Sequence, residues 1–157
     1  MKKRFFASIL SLVMLLSLLP TAAFAAETDT GLPAADSNGV ITLTSNVTLS
    51  EDVSGTIMVD TGSTVVLDLS GKNISSGCAI INKGNLTIKG TGTVSTTAAE
   101  SAAIANFPGA TCTVEGGTYQ SSAWYTIKNL GTMTLGGTTA VTTTNEANVS
   151  SLIDNGW

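Results

Sequence analysis

Histidine is missing from this chain altogether, and beyond the fourth residue so is arginine. Without an imidazole, a serine or cysteine nucleophile lacks its usual base, and only a lysine could complete a triad. Cysteine occurs twice, at Cys78 and Cys112, and two thiolates with no histidine cannot complete a structural zinc site. After Lys2, Lys3 and Arg4 the only basic residues are Lys72, Lys83, Lys89 and Lys128. Those four lysines stand against eleven acids, a net charge of −7 for the later part of the chain. That balance leaves no basic surface to neutralise phosphate, which excludes nucleic acid as a partner class, and it repels anionic membranes. Proline is scarce, and past the first 25 residues no stretch sustains a helical period.

Thr, Val, Ile and Ser dominate instead, in short strand-like runs broken by Gly, Asn and Asp. Among these runs Ile-x-Asn keeps returning, ending at Asn82, Asn106, Asn129 and Asn155, with a weaker copy, Met58-Val59-Asp60. The spacing of 22 to 26 residues is the period of a stacked solenoid, in which each unit buries its apolar face only on its neighbours. A second segment follows each asparagine: Leu67-Asp68-Leu69, Leu86-Thr87-Ile88, Cys112-Thr113-Val114 and Met133-Thr134-Leu135. A third completes the unit: Thr93-Val94-Ser95, Thr118-Tyr119-Gln120 and Ala140-Val141-Thr142. The pattern predicts an all-β parallel solenoid of about five rungs and, at a strand spacing of ~4.8 Å, a height of about 24 Å.

Alternation along each strand assigns the faces. One inward column is expected to run Leu69, Ile88, Val114, Leu135, and a second Leu67, Leu86, Cys112, Met133. A third is expected to run Met58, Ile80, Ile104, Ile127, Ile153, and Tyr119 should take the core place of Val94 and Val141. The outward column reads Asp68, Thr87, Thr113, Thr134. Asp60, Asn82, Asn106, Asn129 and Asn155 share the isoleucines' parity, so they are expected inside one corner as a structural ladder of side-chain bonds. A buried amide is costly unless paired, and a ladder pairs all but its ends. The alternative is that each asparagine marks a turn alone.

The ends read differently. Lys2 to Arg4, an apolar run from Phe5 to Leu19, and then Ala23-Phe24-Ala25 describe a secretory signal peptide over residues 1–25. Residues 26–39, small and polar with Pro33, are expected to be a flexible linker, and 40–157 the solenoid. The last residues, Asn155-Gly156-Trp157, fall mid-rung with no polar cap. Two expectations follow. Either the chain is part of a longer one, whose remainder or another protein stacks on the open last rung, or Trp157 folds over it.

Chemistry is hard to find. No pair of carboxylates falls on one column, as acid–base catalysis would require. Glu51 and Asp52 suit a solvated turn, and Glu115 is expected to pair with Lys89 on the surface. Cys78 and Cys112 have inward parity but lie on different columns, a placement that disfavours a disulfide without excluding it. No phosphate-loop or calcium-loop motif is present, so no catalytic residue, metal or cofactor is assigned. One candidate for ligand binding is Trp124, whose parity points outward from a loop after the third strand; the alternative is that it covers its own rung's flank. Those loops, Thr96 to Ala102, Ser121 to Trp124 and Thr143 to Ser150, vary in length, as binding edges of solenoids do.

The unit Ala-Ile-Ile-Asn-Lys-Gly-Asn-Leu-Thr-Ile-Lys-Gly at 79 to 90, with Glu115-Gly116-Gly117-Thr118-Tyr119 in the next rung, resembles the right-handed parallel β-helix of pectate-lyase-like proteins. More narrowly it resembles repeats of exported, adhesin-like surface proteins of Gram-positive bacteria. The likeness spans about Val40 to Trp157. It implies a right-handed β-helix and a secreted or cell-surface module that touches cell-wall or host glycans without catalysis of its own. The rival implication is the N-terminal piece of a polysaccharide lyase or glycoside hydrolase. Lyases of that fold use calcium-binding acids with an arginine or lysine base, and the later part of this chain has no arginine and no acidic cluster.

Overall fold

The computed structural model describes residues 31–96, 98–147 and 150–156, so the expected signal peptide, the start of the linker and Trp157 lie outside the described residues. The first rung is β1 (Val40–Leu43), β2 (Val47–Thr48) and β3 (Val53–Ser54), and the second β4 (Thr56–Val59), β5 (Thr64–Asp68) and β6 (Ile74–Ser76). The third is β7 (Ile80–Asn82), β8 (Asn85–Lys89) and β9 (Thr93–Thr96), and the fourth β10 (Ile104–Asn106), β11 (Thr111–Val114) and β12 (Thr118–Ser121). The fifth is β13 (Ile127–Asn129), β14 (Thr132–Leu135) and β15 (Ala140–Thr143), and β16 (Ile153–Asp154) starts another turn. Every strand pairs in parallel with its equivalent one turn away, which makes three sheets ordered β1-β4-β7-β10-β13-β16, β2-β5-β8-β11-β14 and β3-β6-β9-β12-β15. The chain is a parallel β-solenoid of about five rungs, and its described residues contain no helix.

Alternation drives the core as expected. Ile57, Ile80, Ile104 and Ile127 line the first sheet's inner face, and Leu67, Ile88 and Val114 the second's, all fully buried. Tyr119 occupies the third sheet's column between Val94 and Val141, fully buried, its hydroxyl donating to Gly116 O at 3.0 Å. Burial without charge compensation pushes its ionisation well above the ordinary phenol range.

Two register expectations are corrected. Ile57, not Met58, pairs with Ile80, so Met58 turns outward and Val59, not Asp60, stands beside Asn82. Val65 pairs with Leu86 and Leu67 with Ile88, a shift of two residues from the expected columns. Hence Val66 takes the outward place given to Asp68, and Leu69 is a buried corner residue. The shift arises at the corners: residues 60–63 join β4 to β5, whereas residues 83–84 suffice between β7 and β8. A two-residue slip keeps every side chain on its face, but the one-residue slip at Met58 reverses them.

The ion pair expected between Glu115 and Lys89 is also corrected. Lys89 sits level with Asp68 and pairs with it at 3.4 Å. Both cysteines are free, Cys112 in the Leu86–Met133 column and Cys78 partly buried before β7. Burial raises both thiols, Cys112 to about 12, so neither is a thiolate near neutral pH.

Candidate functional site

Two corners of the solenoid carry the polar structure. At the first, Asn82 Nδ2 donates to Asn106 Oδ1 at 2.8 Å, Asn106 to Asn129 at 2.7 Å, and Asn129 to Asn155 at 2.9 Å. The second amide hydrogens of Asn82 and Asn106 reach Thr111 O at 2.9 Å and Thr132 O at 3.1 Å. Oδ1 of Asn82 and of Asn129 accepts from the amides of Gly84 and Gly131, two residues on, at 3.2 and 3.3 Å. The ladder therefore ties each rung to the next, and Asn82 and Asn129 also close their own bends. Asp60 is exposed at the turn and takes no part, because the slip described above leaves Val59 at the ladder's foot.

The opposite corner holds a second ladder that the sequence reading missed. Ser76, Thr96, Ser121 and Thr143 stack at the ends of β6, β9, β12 and β15. Ser121 Oγ accepts from Ala123 N at 2.8 Å, Thr143 Oγ1 from Asn145 N at 3.0 Å, and Thr96 Oγ1 from Ala98 N at 3.3 Å. The hydroxyls of Thr96 and Thr143 in turn donate to the rung below, at Gly77 O and Ser121 O. The signal was a hydroxyl residue closing every third segment, obscured because such residues are also common outside a sheet.

From this second corner the loops emerge on one edge. Gly55 alone separates β3 from β4, residues 77–79 follow β6, and residues 122–126 and 144–152 follow β12 and β15. Trp124 is 55% exposed here. Its carbonyl accepts from Ser150 N at 2.8 Å and Ser151 N at 3.1 Å, which anchors the loop backbone while the indole stays open to solvent. On the first sheet, Lys128 Nζ lies 5.5 Å from the Tyr125 ring centre and donates to Asp154 Oδ2 at 2.5 Å. That hydrogen bond, then one from Gly156 N, holds the Asp154 carboxyl below the usual range. Phe107, 40% exposed, lies at the asparagine corner with Lys83 Nζ 5.9 Å from its ring centre.

Among the described residues the two acid–lysine pairs lie apart. Asp68–Lys89 lies on the second sheet and Lys128–Asp154 on the first. A shallow hollow of about 190 Å³ beside Asp68 and Lys89 is lined otherwise by Asn46, Val47, Thr48 and Val66, with no further charge. Among the described residues no three His, Cys, Asp or Glu side chains come together. The chain matches no family model, no curated protein and no solved structure.

Proposed function

We propose that this chain is an exported surface module of adhesin type, a pectate-lyase-like right-handed β-helix that contacts glycans through the loop edge carrying Trp124. The reading rests on one observation above others: an indole 55% exposed on an anchored loop. Large aromatics are usually buried, and an open indole face stacks against the C–H face of a sugar ring. The neighbouring acids are dispersed or already paired with lysine, so the module binds without catalysing.

A glycan array followed by calorimetry on the best hit tests this reading. Trp124→Ala should lower affinity about tenfold or more while the circular dichroism spectrum stays unchanged. Retention of no glycan by the wild-type protein, or equal binding by the variant, would remove the proposal.

A further inference from the structure

The hollow on the second sheet follows from the registers of β2, β5 and β8, which lie side by side there. Two outward columns cross these strands: Asn46 stands beside Val66, and Thr48, Asp68 and Lys89 are level with one another. The short Val66 sits among the longer Asn46, Asp68 and Lys89, and the space left over it measures about 190 Å³. Pockets for drug-sized ligands run to roughly 300–1,000 Å³, so this hollow suits a single six-membered ring.

Its polar groups are held in place but only partly used. Asn46 Oδ1 accepts from Val66 N at 2.8 Å, which fixes the amide plane, and among the described residues Asn46 Nδ2 and the Thr48 hydroxyl have no partner. Asp68 Oδ1 accepts from Ser70 N at 2.9 Å. Its Oδ2 meets Lys89 Nζ at 3.4 Å, longer than a good charge-assisted bond, and both side chains are partly open to solvent. A cationic donor and an anionic acceptor therefore stand side by side with capacity to spare. Because they neutralise each other, an anion would gain Lys89 and be repelled by Asp68, and a cation the reverse. A vicinal diol satisfies both: one hydroxyl donates to the carboxylate while its neighbour accepts from the ammonium. Asn46 Nδ2 and the Thr48 hydroxyl can then serve a third oxygen, and the Val66 methyls meet ring C–H groups. The acidic balance of the later chain further disfavours an anionic occupant.

We propose that this hollow binds one neutral pyranose unit through a vicinal diol, with Asp68 and Lys89 as the paired acceptor and donor. The site lies on the second sheet in the first three rungs, whereas Trp124 is in a loop after β12. The proposal therefore does not rest on glycan contact at Trp124.

The test is titration of isotope-labelled protein with the methyl glycosides of mannose, galactose and glucose, followed through amide chemical shifts. At least one glycoside should move the Val66 amide and the Asn46 side-chain amide saturably, with a dissociation constant on the order of 1–10 mM for so open a site. Tetrahydropyran-2-methanol, a ring of the same size without a diol, should move neither. Lys89→Met and Thr48→Val should each weaken binding about fivefold or more, since each removes a hydrogen-bond donor. Trp124→Ala should leave these shifts unchanged, so the two sites fail separately. Should either hollow variant fail to fold, titration of the unaltered protein still decides. Shifts produced by inorganic phosphate and by none of the three glycosides would overturn the proposal in favour of an anion site at Lys89. No shift at glycoside concentrations far above that range, or equal shifts with the ring lacking a diol, would overturn it outright.

Discussion

At the scale of single residues, burial decides which asparagines matter. Asn82 and Asn106 are all but inaccessible to solvent, and each amide hydrogen and acceptor found a partner without displacing the isoleucines two positions earlier. Asn106 makes three such bonds, two donated and one accepted. Asn106→Ala leaves Asn82, Asn129 and Thr132 short of partners in a dry corner, so denaturant unfolding should show a loss of about 2–4 kcal/mol. Asn106→Asp keeps the shape but cannot donate, and should cost at least as much near neutral pH. A change within about 0.5 kcal/mol for either variant would mean the ladder is incidental. Parity of the Ile-x-Asn phrase made these four residues legible. It misplaced Asp60 because Met58 looked like the isoleucine of its rung, while Ile57 one place earlier was the true equivalent.

At the scale of elements, the strands were legible because alternation and β-branched residues both mark them, while the corners were not. Corner length changes from residues 60–63 to 83–84 and back to 107–110, and no periodic rule anticipates that. Leu67 and Asp68 were consequently placed inside and outside correctly, but beside the wrong neighbours. The exposure of Trp124 illustrates the same limit. Parity gave its direction, but the two amides that anchor its loop, those of Ser150 and Ser151, lie a full turn further along. Corners also carry the sharpest constraint on sequence. Gly92 has φ +144°, and a Cβ there would lie 2.1 Å from Lys72 O in the rung below. Gly62 has φ +83° with nothing near. Gly62→Ala should therefore cost only the backbone strain, about 1 kcal/mol, and Gly92→Ala distinctly more, roughly 3 kcal/mol. Equal losses in thermal unfolding would contradict the close approach.

At the scale of the molecule, the solenoid separates its tasks. The three inner faces hold the rungs together, the two polar ladders fix the corners, and one edge is left free to vary in loop length. Carbohydrate contact, as proposed, uses the loop edge at Trp124, and it does not follow from the fold alone, since one scaffold supports many functions.

All of this requires residues one turn apart in sequence to be neighbours in space. Nuclear Overhauser contacts from the Asn106 side-chain amide measure that directly. The expected spectrum shows cross-peaks from Asn106 to both Asn82 and Asn129, and from Tyr119 to Val94 and Val141. Cross-peaks instead joining β10 to β11 in an antiparallel hairpin would contradict the parallel solenoid and everything built on it.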